Sequence, residues 1–280
     1  MRAGAHYEVL GQPLPFRQGF PLLKEAGAEG VELVIREDGP LLTPQTPRSS
    51  LAQIRRMAED LGLPVFSVSN AGLWAHPLTS FDGAERQKGL DSLYRQMDIA
   101  LALGARILLV IPGYADTVFV KNARPVDPAL ARARALEGLV RALPRALDAG
   151  LILSVENVWN GMLTDPAEMR DFVDALSSPA VGTYFDTGNA LRYCRPEEAV
   201  GILGSRIRAV HIKDALKHRT DMDAFPPPGM GDVDFMACAA ALRRTGYDGY
   251  LTAELHKCAS YENAKKALLL IRALIDGTQV

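Results

Sequence analysis

Short apolar runs alternate along the chain with longer segments of helical periodicity. The run GVELVI at Gly30–Ile35 is followed by a helical segment at residues 47–61. Seven further runs have the length of strands, and they cover residues 2–8, 64–70, 106–112, 151–157, 181–188, 207–214 and 249–256. Other helical segments lie between them, at residues 83–103, 128–149 and 166–176. This alternation is typical of repeated βα units and predicts a parallel sheet.

The polar residues of the predicted strands are concentrated at their carboxyl ends. Runs such as RILLVIP and LILSVEN are otherwise apolar, as expected for parallel strands that helices cover from outside. An open, doubly wound sheet is the competing architecture, but no GxGxxG motif follows the first strand, and eight units favour a closed ring. We therefore predict an α/β fold, a (β/α)₈ TIM barrel, as a single domain over residues 1–280. The segment FPPPGMG at residues 225–231 predicts a long loop at the barrel rim.

Four consecutive predicted strands each carry one acidic or imidazole side chain near the carboxyl end. Because side chains alternate in direction along a strand, Glu156 points away from the bulky residues of its strand, which face the helices. The same alternation places Asp186, His211 and Glu254 on the inner faces of their strands. We therefore predict that the four side chains converge at the mouth of the barrel, where TIM barrels have their active sites.

Such a cluster needs a counter-charge, because three carboxylates in a low-dielectric interior repel one another. A divalent cation removes this repulsion, and oxygen-rich ligation with one imidazole suits Mn²⁺, Mg²⁺, Co²⁺ or Zn²⁺. We predict one such ion. Taken singly, each residue has an ordinary structural explanation, such as a solvated glutamate or a turn aspartate. Their recurrence in the same phase on consecutive strands favours a metal site.

Composition and charge argue against several classes of partner. The 31 basic and 33 acidic residues nearly cancel and form no long run of one sign, so no nucleic-acid partner is expected. No apolar run approaches the roughly 20 residues of a membrane span, and the N-terminus lacks the features of a secretory signal. The three cysteines form no CxxC pair and suit a reducing compartment. A cytoplasmic protein without a membrane partner is therefore expected.

Several stretches of the chain resemble the motifs of the xylose isomerase-like barrel superfamily, in particular its sugar phosphate isomerase/epimerase branch. They are LSVENVWNG, VGTYFDTGNAL, IRAVHIKD, and GDVDF followed by GYDGYLTAELH. These stretches look like those of the pentulose phosphate 3-epimerases. The resemblance implies that the metal ligands are Glu156, Asp186, His211 and Glu254, and that the protein assembles as a homodimer or homotetramer.

One position departs from the pattern of the ketose epimerases. In those enzymes a histidine often follows the metal aspartate by three positions, and Asn189 stands there in this chain. Asparagine can hydrogen-bond a sugar hydroxyl but is not a strong metal ligand. The substitution therefore argues against a second metal ion.

The predicted metal site favours proton transfer on a small ketose or ketose phosphate. A divalent ion polarises a ketone and acidifies the hydrogen on the adjacent carbon. Glu156 and Glu254 come from strands five and eight, so we predict that they act as acid and base on opposite faces of the sugar. Proton return from the other face gives 3-epimerisation, which we predict. Return to the neighbouring carbon gives aldose–ketose isomerisation, and the sequence leaves that reaction open.

Four further residues are predicted to contact the substrate. Asn189 would hydrogen-bond a hydroxyl, and Lys213, on the same inner face as His211, would stabilise enediolate or phosphate charge. Glu32, on the second strand, would either accept hydroxyl hydrogen bonds or balance a nearby cation. Trp74 would form an apolar wall against the sugar, with rim packing or a subunit contact as the alternative.

Other functions share parts of this pattern. A hydroxypyruvate isomerase-like enzyme and an inosose dehydratase-like enzyme would use similar metal and enolisation chemistry. An apurinic endonuclease-like hydrolase would need more histidines and a basic surface, and this chain has five histidines and a formal net charge of −2. A non-catalytic barrel is disfavoured because both predicted acid/base glutamates are present.

Overall fold

The computed structural model describes residues 1–278 of the chain. Within these residues, eight parallel strands pair in chain order and close into a barrel. The strands are β1 (Arg2–His6), β2 (Gly30–Ile35), β3 (Val65–Asn70), β4 (Ile107–Val110), β5 (Ile152–Glu156), β6 (Val181–Asp186), β7 (Ile207–Ile212) and β8 (Tyr250–Ala253). The predicted TIM barrel is confirmed. The single-domain organisation of residues 1–280 stays a prediction, and its last two positions lie outside the described residues.

Helices surround the barrel and connect successive strands. They are α1 (Phe16–Glu25), α2 (Arg48–Asp60), α3 (Gly72–Ala75), α4 (Gly83–Leu103), α5 (Pro128–Ala149), α6 (Pro166–Ala175), α7 (Thr187–Leu191), α8 (Pro196–Leu203), α9 (Phe235–Arg244) and α10 (Tyr261–Asp276). None of these helices, all within residues 1–278, combines the length and the apolar character that a membrane crossing requires.

The bounds of the two longest helices follow from local signals in the sequence. The Asp82 carboxylate accepts a hydrogen bond from the first turn of α4, and the Asp127 carboxylate does the same for α5. Both helices end at a glycine in the left-handed region, Gly104 with φ 81° and Gly150 with φ 61°. The predicted bounds of both helices match those of the structure because start and stop signals are both present.

Two apolar layers show which face of each strand points inward. Val155, Phe185 and Val210 belong to the large layer between the strands and the helices. Tyr184 and Ala209, their neighbours along the chain, belong to a small separate cluster inside the barrel. The alternation predicted from the sequence is therefore observed, and inward-pointing residues of strands β5 to β8 reach the barrel mouth.

The loop between β7 and α9 crosses the rim and is held by one carboxylate. Asp214 accepts hydrogen bonds from the backbone N–H groups of Ala215, Gly229, Gly231 and Val233. Phe225, within the predicted rim loop, packs its ring 4.9 Å from that of Trp159 and 5.0 Å from that of His256. The loop therefore covers part of the barrel mouth.

Candidate metal centre

The carboxyl ends of β5 to β8 bring the four predicted ligands together. Glu156 and Asp186 are the last residues of their strands, His211 lies near the end of β7, and Glu254 follows β8 directly. The pairing register sets Asp186 opposite His211. One ligand atom from each of the four residues lies within 4.8 Å of the others. The convergence predicted from the sequence is thus observed, and the role of the four residues as metal ligands is a proposal.

The Nδ1 atom of His211 is the common neighbour of the three carboxylates. It lies 3.5 Å from Glu156 Oε1, 3.7 Å from Asp186 Oδ2 and 3.3 Å from Glu254 Oε2. Donors bound about 2.1 Å from one ion lie about 3.0–3.4 Å from one another. The observed spacings lie at the upper end of this range or up to 0.3 Å above it, so small shifts of the side chains would place the donors around a single cation.

Two atoms of this cluster are buried without a hydrogen-bond partner. Within residues 1–278 they are Asp186 Oδ2 and His211 Nδ1. Buried polar atoms are nearly always hydrogen-bonded in native proteins, so each such atom needs a physical explanation. A divalent ion at the centre of the cluster would satisfy both atoms, and the donor set fits such an ion.

The backbone at the end of β6 fixes the orientation of Asp186. Its N–H donates to Asn157 Oδ1 at 2.7 Å, and its carbonyl accepts from Asn157 Nδ2 at 2.9 Å. Its Oδ1 atom accepts from the Asn189 N–H at 2.6 Å and thereby caps α7. The Oδ2 atom faces His211 and Lys213. The side-chain amide of Asn189 lies 3.4 Å from Glu156 Oε1, so Asn189 borders the cluster.

Lys213 brings a positive charge into the cluster. Its Nζ lies 2.8 Å from Asp186 Oδ2 and 2.8 Å from Glu254 Oε2. The contact to Asp186 is an ion pair without hydrogen-bond geometry. Burial opposes the charge on Lys213, but the carboxylates raise the pKa of its ammonium above the usual range. Lys213 therefore stays charged while it is buried.

The three carboxyl groups differ in acidity. Burial and the charge of Glu254 raise the pKa of Glu156. Burial also opposes ionisation of Glu254, but Lys213 and His211 hold its pKa well below the usual range. The pKa of Asp186 rises to about 8, mainly because of burial. In the absence of a cation, burial therefore favours the protonated forms of Glu156 and Asp186, whereas Lys213 and His211 favour the anionic form of Glu254.

The other edge of the His211 ring faces a buried carboxylate. His211 Nε2 lies 3.2 Å from Glu32 Oε1, and Ser67 Oγ donates to Glu32 Oε2 at 2.7 Å. Burial would raise the pKa of Glu32, but His211 and His6 lower it, so Glu32 stays ionised. Pairing with Glu32 places a proton on Nε2 of His211. Nδ1 is then unprotonated and faces the cluster, where it can act as a metal ligand. Of the two roles predicted for Glu32, its burial favours charge balance over contact with sugar.

A cavity of about 180 Å³ adjoins the cluster and is bordered by Trp74. The indole stacks on Tyr114 with ring centroids 6.3 Å apart and meets Phe119 edge-on at 5.4 Å. Trp74 therefore stands where a wall against the sugar is predicted, although its contact with substrate remains a prediction.

Three polar residues near the cluster were not among the site residues predicted from the sequence. Ser67 holds Glu32, and Asn70 lines the cavity while bonding Ser92 Oγ at 2.9 Å. His6 ends β1 and lies 3.8 Å from Glu32 Oε1. The available signal was the alternation within VFSVSN, which places Ser67 in the inward phase of its strand.

A closed parallel barrel with an acid–imidazole cluster at the carboxyl ends of its strands defines a TIM barrel of the kind that carries active sites at this rim. The sequence profile of the xylose isomerase-like TIM barrel family matches residues 20–274. The chain belongs to this family, as the resemblance in its motifs implied.

Curated relatives agree with this assignment, and a solved structure shares the fold. The L-ribulose-5-phosphate 3-epimerase UlaE of Salmonella paratyphi C is 27% identical over 232 residues, which cover 81% of this chain and 78% of that protein. The putative L-ribulose-5-phosphate 3-epimerase SgbU of Escherichia coli K12 is 26% identical and covers 96% of this chain and 92% of its own. A crystal structure of D-psicose 3-epimerase with D-fructose superposes with a TM-score of 0.80 at 20% identity, covering 98% of this chain and 99% of the other.

Proposed function

We propose that this protein is a divalent-metal-dependent 3-epimerase of a ketose or a ketose phosphate. The observation that carries the proposal is the convergence of four donor atoms within 4.8 Å in a barrel whose curated relatives are 3-epimerases. We assign Glu156, Asp186, His211 and Glu254 as ligands of one ion, and the two glutamates also as acid and base. Mn²⁺, Mg²⁺, Co²⁺ and Zn²⁺ all suit this donor set.

The two glutamates perform the proton transfers. A bound divalent ion supplies electrophilic polarisation of the ketone, which makes the hydrogen on the adjacent carbon more acidic. Glu156 and Glu254 approach from β5 and β8, which two other strands separate. One carboxylate accepts the proton from C3, and the other carboxyl group donates a proton to C3 from the opposite face. One proton leaves and one arrives at the same carbon, so only its configuration changes.

Neighbouring side chains support this transfer without exchanging protons. The Lys213 ammonium, 2.8 Å from Glu254 Oε2, is placed to stabilise negative charge that develops on the enediolate. Asn189 borders Glu156 and would donate a hydrogen bond to a sugar hydroxyl. Trp74 would pack against the carbon face of the sugar and exclude water.

We expect the metal-loaded protein in D₂O to incorporate deuterium at C3 of a ketose or its phosphate while the C3 epimer accumulates. The reason is that the proton returned from a carboxyl group has exchanged with solvent. NMR of a panel of ketoses, their phosphates, hydroxypyruvate and an inosose measures this directly. Deuterium at C1 alone would indicate aldose–ketose isomerisation instead. Turnover of hydroxypyruvate or the inosose, without exchange in any ketose, would contradict the proposed function.

We expect Glu32→Gln to weaken metal binding by about 10- to 100-fold, the usual consequence of losing the carboxylate behind a ligating histidine. A neutral amide would hold the proton on His211 Nε2 less strongly than the carboxylate does, so part of the population would lose the unprotonated Nδ1. Calorimetric titration with Mn²⁺ measures the affinity, and ¹⁵N chemical shifts of His211 report the tautomer. Glu37→Gln, an exposed glutamate just beyond the same strand, should leave both unchanged. Equal affinity of Glu32→Gln and the wild type would contradict a positioning role.

Several other properties expected from the sequence are supported only in part or stay predictions. The relatives support a small sugar as the substrate. Assembly as a dimer or tetramer, a cytoplasmic location and the absence of a nucleic-acid partner stay predictions.

A further inference from the structure

The ion pair between Glu8 and Arg36 lies at the boundary between two cavities. One is the cavity beside the acid–imidazole cluster, called the metal cavity below, and the other is larger. Arg36 Nε and Nη2 donate to the two carboxylate oxygens of Glu8, each at 2.5 Å. Glu8 lies in the turn after β1, and Arg36 follows β2 directly. Both residues line the metal cavity of about 180 Å³ and the adjoining cavity of about 390 Å³. A substrate whose reacting carbon lies at the metal cluster would therefore extend its far end toward this pair.

The walls beyond the pair are mainly apolar. They are formed by side chains from the segments after β1 and β2 and from the start of α1, including Tyr7, Pro13, Phe16, Leu41 and Leu42. Burying a dianionic phosphate against such walls is unfavourable unless cations compensate for it.

The basic side chains near this region already have acidic partners. Among the residues lining the two cavities, all within residues 1–278, the lysine and arginine side chains are Arg36 and Lys257. Arg36 is paired with Glu8, and Lys257 Nζ lies 2.5 Å from Asp223 Oδ1. Lys213, deeper in the barrel, is held by the cluster carboxylates. A phosphate group would thus meet no uncompensated cation and would lie close to the negative charge of Glu8.

We infer that the far end of the substrate is an uncharged polyol and that the Glu8–Arg36 pair determines this specificity. The inference rests on the proposed function, because it places the ketose carbonyl at the metal cluster. The Glu8 carboxylate accepts hydrogen bonds from hydroxyl groups, and free guanidinium N–H groups of Arg36 donate to hydroxyl oxygens. The same carboxylate repels a phosphate dianion, so the pair selects the free ketose over its phosphate.

Binding of ribitol and ribitol 5-phosphate to the metal-loaded full-length protein tests the inference. These polyols lack the ketone and do not react, and calorimetry measures both dissociation constants. We expect the wild type to bind ribitol at least about tenfold more tightly than its phosphate, because like charges in a partly buried site repel. Glu8→Gln should change the ratio of the two dissociation constants by about tenfold or more in favour of ribitol 5-phosphate, since Arg36 is then free to pair with the phosphate.

Two further variants separate specificity from general effects. Glu59→Gln neutralises the acid of a similarly exposed pair with Arg55 on α2 and should leave the ratio unchanged. Arg36→Met should weaken ribitol binding without improving phosphate binding, and this result keeps the test decisive if Glu8→Gln fails to fold. A wild type that binds the phosphate more tightly, or binds neither polyol, would overturn the inference, as would an unchanged ratio in Glu8→Gln. Failure of the proposed function would instead appear as absence of deuterium exchange in every ketose, whatever the binding ratio.

Discussion

Replacing either Glu156 or Glu254 with glutamine is expected to reduce epimerisation by about 10³-fold, within the range typical of losing a general acid or base. The amide keeps the size of the side chain but can neither accept nor return the C3 proton. The substitution also lowers the affinity of the cluster for a divalent ion, because a neutral oxygen replaces an anionic one. Rates of epimer formation, with metal concentration raised until the variant is saturated, measure the chemical contribution.

The control for this experiment is Glu37→Gln, which removes an exposed carboxylate at the same rim of the barrel and should retain the full rate. Binding of ribitol to the metal-loaded variants shows whether the cavity remains intact. If both glutamine variants epimerise at rates within a few-fold of the wild type at saturating metal, the assignment of the two glutamates as acid and base is wrong.

Metal removal is expected to abolish activity and to lower stability at the same time. Three carboxyl groups, of which Glu156 and Asp186 are buried and Glu254 is partly exposed, lie 3.3 to 3.7 Å from His211. Without an ion they repel one another or must take up protons. An ion present at about 100 times its dissociation constant stabilises the native state by about 2.7 kcal/mol. Chelation should therefore lower the unfolding temperature measured by calorimetry, and re-addition of Mn²⁺ should restore both properties.

Asp186→Asn provides the matched variant for the chelation experiment. It removes one anionic donor from the cluster, and we expect its unfolding temperature to respond little to either chelator or added metal. Unchanged activity of the wild type after exhaustive chelation would contradict the metal-dependent mechanism, whereas an unchanged unfolding temperature alone would indicate weak binding.

Most of the fold was predictable because strand alternation and helix start and stop residues are local signals in the sequence. Strand phase in VGTYFDTGN places Asp186 inside the barrel, and an aspartate and a glycine delimit α4. Six of the eight predicted strands extended beyond the observed ones at their carboxyl ends. For example, β8 ends at Ala253, and Glu254 already belongs to the following loop. There the chain leaves the ladder of hydrogen bonds, which residue type alone does not reveal.

The surroundings of the cluster depended on contacts between distant parts of the chain. Glu32 meets His211 across 179 residues of sequence, and that distance is bridged only because the ring closes. The inner-face position of Lys213 followed from the alternation of side chains along the seventh predicted strand. Its ion pairs with Asp186 and Glu254 depend on the conformation of a long side chain, which the sequence does not reveal. Site residues on neighbouring strands were therefore predictable in position, and their mutual pairing was not.

Closure of the barrel brings the two ends of the chain together beside the proposed metal site. β1 pairs with β8. The proposed ligands come from the last four strands in the sequence, β5 to β8, whereas His6 and Glu32 come from the first two, β1 and β2. The four proposed ligands lie on neighbouring strands, whereas the supporting carboxylate of Glu32 reaches His211 from the other end of the chain. We therefore expect the proposed ion to bind more tightly once the barrel has closed during refolding, because Glu32 supports His211 only in the closed ring.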